Sequence, residues 1–232
     1  MKSFFDFLSF IFHLPPPDRA AGPSNSCNRF NSLRVLLLAL TCLLLTGCVF
    51  KTGTVATRHF ILSPVCTNEL VQAPPSHLSV SIGLVKMPSY LLRNSVAVRN
   101  SANEIQYLET AQWGERLDQC FQRAVAANLS RLLSSDRIHV ADFGRDGAET
   151  HVLIHVHQFD VDTQGHGTLI AQWQITSQHK DTSPKIGQTQ LALNGGSPHG
   201  SPQAVATTLS EIAGKFSHEL AEPIRESARL HR

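Results

Sequence analysis

The chemically most pointed residue of this 232-residue chain is a cysteine that closes an apolar run: Leu45-Thr46-Gly47-Cys48 ends a stretch beginning at Val35, with Arg29 and Arg34 just ahead of it. A thiol in that place is a nucleophile that can take a diacylglycerol, after which a signal peptidase cuts between Gly47 and Cys48. The small Gly47 lets the protease close on the backbone. The run is too short to span a bilayer and carries the basic flank and small residues of a secretory leader. We read it as a bacterial lipobox, with Cys48 the acylated N-terminus of the mature protein; the competing reading is an uncleaved apolar helix that happens to end in a cysteine. Each buried methylene contributes about 0.8 kcal/mol, so a diacylglycerol and an N-acyl chain together anchor far more firmly than one acyl chain. No cofactor is expected beyond these covalent lipids.

Other residues could in principle do chemistry. His151, His155 and His157 fall in one stretch of alternating polarity, and residues two apart share a strand face, so His155 and His157 could chelate a metal through neutral imidazoles. Two ligands do not complete a site and no third is nominated; the plainer reading is a solvated face opposite Val152, Ile154 and Val156, and we expect no metal. His218-Glu219-Leu220-Ala221-Glu222 misses the zincin pattern because Glu222 stands where the second histidine must ligate. There is no G-x-S-x-G elbow, phosphate-cradling glycine loop or dinucleotide fingerprint. The expectation is therefore a protein that is not an enzyme, with a periplasmic metalloenzyme built on the histidines as a rival.

The elements that must carry these residues follow from periodicity. Residues 1–47 form the signal-peptide region. A leader usually runs about 15 to 30 residues, so residues 1–32 are either sequence upstream of the true start, near Leu33 or Val35, or an unusual extension; both are set aside from the fold. Residues 48–57 read as a lipidated tether and 58–232 as a single domain, a length that supports one core. The leader holds Lys2, Arg19, Arg29 and Arg34 against Asp6 and Asp18, so the chain's 20 basic and 18 acidic side chains balance in the mature part. No basic stripe remains for nucleic acid. Cys27 and Cys42 leave with the leader, so Cys66 and Cys120 are the only cysteines left for a disulfide; Cys120 falls on the buried stripe of an expected helix, where a small apolar thiol is the commoner explanation.

Short alternating runs predict strands at 59–62, 78–84, 95–99, 104–108, 138–140, 150–162, 169–175 and 186–193, with a hairpin turn at 100–103 and another at 164–167. The 78–84 strand is expected to have one apolar face, from Leu78, Val80, Ile82 and Leu84. Apolar residues at spacings of three and four predict a helix over 111–133, including Trp113, Leu117, Cys120, Phe121, Leu129 and Leu132, and another over 202–220 that Pro223 stops or kinks. Strands, helix, strands, helix imply an α/β or α+β sandwich: a mixed sheet of about six to eight strands with two main helices packed on it.

Tyr90, Arg93, Arg99, Tyr107, Glu109, Trp113 and Glu115 crowd large amphipathic side chains into one stretch. Tyr, Trp and Arg dominate interface hot spots, which makes these candidate partner-binding residues. The internal reading, which we weight above it, has Trp113 capping the core while Arg99 and Glu109 pair across strands.

The lipobox, the short strand 58–62, Tyr90-Leu91-x-Arg93, Val96-x-Val98-Arg99, Tyr107, Glu109 and Trp113-x-Glu115, with Arg123 and Asn128-Leu129 on the helix, resemble the ABC-type transport auxiliary lipoprotein family of the PqiC, intermembrane transport lipoprotein type. The resemblance is densest over 90–129. This chain has Gln112 and Gly114-Glu115-Arg116 where that family often shows arginine before the tryptophan and Ala-Glu-Pro after it. The resemblance implies a non-catalytic component of an envelope lipid-transport system, with an MCE-domain protein and an ABC permease and ATPase as partners and a homo-oligomeric ring as assembly. Val49 stands where an inner-membrane retention signal would often place Asp, favouring the periplasmic face of the outer membrane. The rival from the same anchor and domain size is a lipoprotein assisting outer-membrane or lipopolysaccharide assembly.

Overall fold

The computed structural model describes residues 36, 56–65, 77–141, 147–178, 183–198 and 201–229. Contacts divide the chain into two units, Met1–Thr54 and Val55–Arg232. Leu36 alone is described in the first, so the expected leader and Cys48 lie outside the described residues, as does Cys66. Among the described residues of the second unit, eight strands and two helices bury one core: β1 (Arg58–Phe60), β2 (Val80–Ile82), β3 (Ser95–Ser101), β4 (Glu104–Trp113), α1 (Leu117–Leu132), β5 (Ile138–Val140), β6 (Thr150–Asp162), β7 (His166–Ser177), β8 (Lys185–Asn194) and α2 (Pro202–Arg229). All eight strands belong to one open mixed sheet, the expected α/β class.

The long β6 organises that sheet. Along one edge it pairs in parallel first with β2, at Val80↔Thr150 to Ile82↔Val152, and further on with β3, at Val98↔Val161 and Arg99↔Asp162. Its other edge runs antiparallel to β7, which carries β8. Between β2 and β3 the chain stays beside β6 through Lys86, whose amide donates to the Ile154 carbonyl at 3.0 Å, and then turns through a single 3-10 turn, Ser89–Leu92.

Alternation decides which side is packed. Val152, Ile154 and Val156 of β6 and Leu169, Ala171 and Ile175 of β7 are buried on the face that α1 and α2 cover. There Phe121 of α1 meets Phe159 of β6 edge-on, ring centroids 4.9 Å apart, and lies 5.8 Å from the Phe216 ring of α2. On the opposite face Leu153, His155 and His157 are exposed, the solvated face that the alternation predicts.

Three expectations are corrected. The helix expected from residue 111 begins at Leu117, because Ala111, Gln112 and Trp113 extend β4 as the parallel partners of β1. Trp113 and Leu117 are four apart and both buried, which mimics a helical stripe across a strand-to-helix junction. The strand expected over 78–84 shrinks to Val80–Ile82 and has no solvated face: it lies between β5 and β6, with Ser79 and Ser81 buried beside Val80 and Ile82 while Leu84 is exposed. A parallel strand covered on both faces loses its alternation. Pro223, expected to stop or kink the last helix, does not stop it: it lies inside an α2 that runs on to Arg229. Its missing amide removes one backbone bond, but Ile224 and Ser227 continue the buried stripe, and Arg225 Nη2 donates to the Leu132 carbonyl at 2.6 Å, satisfying a terminal acceptor of α1.

Where α2 meets the far end of β7 and β8 there is no room for a Cβ. One built on Gly167 would come within 2.6 Å of Ile212, and one on Gly195 within 1.9 Å of the Thr208 hydroxyl. Asp162 ties the neighbouring hairpin tip: its Oδ1 accepts the amides of Gln164 and His166, both at 2.8 Å, and its Oδ2 lies 2.9 Å from His166 Nδ1. Burial alone would push this carboxyl up; the His166 amide and ring and the Gln164 amide outweigh it and hold the carboxyl below its ordinary range.

Candidate functional site

The tyrosine–arginine stretch singled out in the sequence converges at the end of β6, on the sheet face away from the helices. The turn Ser89–Leu92 presents Tyr90, β3 presents Arg99, and both meet Asp160 of β6, whose side chain is 2 % exposed. Arg99 grips the carboxylate with two donors, Nε to Oδ1 at 3.0 Å and Nη2 to Oδ2 at 2.6 Å. The Tyr90 hydroxyl donates to Oδ2 at 2.7 Å and Gln158 Nε2 to Oδ1 at 2.9 Å. Four donors fill a carboxylate's acceptor sites, so Asp160 has no capacity left for a substrate proton. Arg99 also reaches the Tyr90 hydroxyl at 3.2 Å and, through Nη1, the Ala102 carbonyl at 3.1 Å.

Asp160 is the residue that sequence reasoning missed. Arg99 does not pair with Glu109; cross-strand register sets it opposite Ile105, and its carboxylate comes from 61 residues further along the chain. The one local signal was an acid in an otherwise apolar run, Phe159-Asp160-Val161.

The Tyr90 phenol is pushed above its ordinary value, first by burial and then by its bond to Asp160. In the sign convention of linkage, a folded-state pKa that is raised leaves stability intact while both states are neutral. That stability is lost once the unfolded tyrosine ionises, above about pH 10. The chain has two tyrosines, which makes the test clean. Ultraviolet titration should show Tyr90 un-ionised through pH 10, and the fall in unfolding midpoint above that pH should be shallower in Tyr90→Phe; ionisation of Tyr90 in the folded protein below pH 10 would contradict the packing described.

The remaining residues of the stretch divide by environment. Tyr107 donates its hydroxyl to the Tyr90 carbonyl at 3.1 Å, and the exposed Arg93 guanidinium lies over the Tyr107 ring, 4.8 Å from its centroid. Glu109 is exposed on β4. Trp113 is buried in the core, on a strand rather than a helix. Glu115, just before α1, receives Arg123 and the Cys120 thiol, the latter at 3.0 Å. Burial pushes that thiol up, and Cys120 is a free, buried cysteine. Arg93 and Glu109 thus face solvent, while Tyr90, Arg99, Trp113 and Glu115 are engaged within the fold. A further tie unread in the sequence is Gln122, buried within the α1 stripe, whose amide donates at 2.9 Å to the carbonyls of both Ile82 and Gly83 and fixes α1 to the end of β2.

The histidines stay apart from this cluster. The His155 and His157 rings lie 4.4 Å apart on the outer sheet face, and among the described residues no group of three or more His, Cys, Asp and Glu could hold a metal ion. His218 and Glu222 lie on the exposed side of α2, where Glu222 is 3.4 Å from Arg225, and Glu219 accepts the Thr189 hydroxyl at 2.8 Å. No helix among the described residues is long and apolar enough to cross a membrane.

An open mixed sheet, two helices on one face and an ion pair holding a turn against the other face define an α/β domain of one sheet and two helices. Two solved structures share the fold. One, the crystal structure of an uncharacterized protein, superposes with a TM-score of 0.59 at 18 % identity, covering 73 % of this chain and 99 % of that one. The other, a Xanthomonas campestris protein of the DUF330 family model, gives 0.52 at 14 %, covering 72 % and 91 %. No curated protein matches the sequence. The family description that does match, ABC-type transport auxiliary lipoprotein component, covers residues 60–221, most of the chain and nearly all of the folded unit. The chain belongs to that family.

Proposed function

We propose that this protein is a non-catalytic auxiliary component of an MCE/ABC-type intermembrane lipid transport system, anchored through acyl chains on Cys48 to the periplasmic face of the outer membrane. The observation that carries this reading is the family match over the folded unit, joined to a lipobox directly upstream of it. The domain works as a tethered adaptor. The Tyr90–Arg99–Asp160 cluster fixes the turn beside β3 and β4, and Arg93 and Glu109 are the members of that region left exposed for an MCE-domain protein or the permease and ATPase complex to meet. The assembly that suits such a role is a homo-oligomer.

Two measurements test the reading. Cys48→Ser should abolish acylation and move the protein from the membrane to the soluble fraction; unchanged fractionation, or an unmodified thiol by mass spectrometry in the wild type, would remove the anchor. Affinity capture should recover an MCE-domain protein with the wild type and several-fold less with Arg93→Glu, at equal thermal stability. Rim charges of this kind act chiefly on association and salt dependence, so the loss should shrink at high ionic strength. Recovery of outer-membrane or lipopolysaccharide assembly subunits in place of an MCE protein would reverse the assignment.

A further inference from the structure

The first strand and the segment after it hold an exposed apolar pair beside a cation. Ile61 is 55 % and Val65 38 % exposed, while their neighbours Phe60 and Leu62 are buried. Together with Arg58, His59, Gln203 and Thr207 they line a groove of about 450 Å³ against the first turns of α2, and no carboxylate among the described residues lines it. The Arg58 guanidinium lies over the Phe60 ring, 5.2 Å from its centroid, and donates to the neutral Gln203 amide at 3.3 Å. Among the described residues it has no acidic partner.

The covalent path says what can cover this surface. Arg58 follows Cys48 by ten residues. A fully extended chain of that length reaches about 35 Å, and a flexible one averages about 17 Å. Of the described residues that follow Cys48, 56–65 are the nearest to it along the chain. Two apolar side chains and a cation are too small a patch to bind a membrane from solution, but a tether this short raises the local concentration of the surface to about the millimolar range, where weak contacts engage. Guanidinium and imidazole suit the phosphates of phospholipid headgroups, and Ile61 and Val65 suit the boundary beneath them.

We propose that Arg58, His59, Ile61 and Val65 form the membrane-contacting surface of the domain, seated on the phospholipid headgroups of the bilayer that holds the Cys48 acyl chains. The inference rests on the acylation reading and adds an orientation to it. The outer sheet face, where Leu84 and Ile186 are 63 % and 74 % exposed and Leu153 lies beside them, is more apolar, but nothing places a particular occupant there; it serves as the control.

The test uses the acylated protein in vesicles of phosphatidylethanolamine and phosphatidylglycerol. In a Cys66→Ser background that leaves the buried Cys120 in place, a nitrobenzoxadiazole probe is attached at Ile61→Cys or, as control, at Leu153→Cys; Ser63→Cys replaces the first if it fails to fold. A blue-shifted emission several-fold stronger at 61 than at 153, reduced by Arg58→Glu, is the expected result. Solvent-like emission at 61 while the protein floats with the vesicles would overturn the docking and leave the anchor standing. Equal emission at both positions would also overturn it. A protein that neither floats nor carries lipid at Cys48 would overturn both readings. Blue-shifted emission at 61 without vesicles, growing with the concentration of an unanchored fragment from Val55 onward, would assign the surface to a second copy instead.

Discussion

Replacing Arg99 with methionine should cost this domain about 3 kcal/mol of stability, although the residue is near the end of its strand and partly exposed. Asp160 is 2 % exposed and would be left with only Tyr90 and Gln158 to hold it. Breaking a buried pair by removing one partner costs about 3–5 kcal/mol, because the other is left uncompensated. Arg99 is 23 % exposed, so water partly reaches the pair, which sets the lower end of that range. Chemical denaturation with circular dichroism measures it. The informative variant is the double, Arg99→Met with Asp160→Leu, which should cost clearly less than the sum of the single changes. Additive costs would show that the two side chains do not act as a pair. Arg99 is therefore unsuited to mapping a partner surface: Arg99→Glu would abolish binding by unfolding the turn that carries Tyr90, whereas Arg93→Glu changes charge with little effect on packing.

Phe121→Ala is expected to match or exceed that cost. The ring is fully buried and touches both Phe159 of the sheet and Phe216 of α2, so its removal opens a void where three elements meet. Truncating a buried phenylalanine costs about 3–5 kcal/mol, part lost transfer energy and part cavity. Phe121→Leu, which fills much of the void, should recover more than half. Thermal unfolding followed by near-ultraviolet circular dichroism would show α1 and α2 loosening together in the alanine variant. A cost below about 1 kcal/mol would mean that the three elements do not share one core.

Much of the fold was written locally. The bounds expected for β6 are those observed, and β7 and β8 begin and end within a few residues of expectation, because these long strands keep a period of two over most of their length. The last helix was legible as far as residue 220 from Val205, Leu209, Ile212, Phe216 and Leu220, all of which are buried, while its continuation to Arg229 was not. Ser134-Ser135-Asp136 marks the end of α1, where Ser134 takes a left-handed φ of 49°. The candidate site was legible only as composition. Tyr90, Arg99 and Tyr107 do come together, yet the acid that joins two of them was unassigned and the pairing with Glu109 was wrong.

Sequence by itself determined the thiol at Cys48, the charge balance of residues 48–232, the two amphipathic helices and much of the strand-by-strand alternation, since each is read from residue types and their spacing along the chain. The tertiary structure alone decided that Asp160 faces Arg99, that β2 is buried on both faces, and that Ala111, Gln112 and Trp113 are strand rather than helix. Each of these depends on which distant segment lies alongside. Register and burial set that choice: a carboxylate 61 residues away becomes the nearest counter-charge only when β3 and β6 lie side by side.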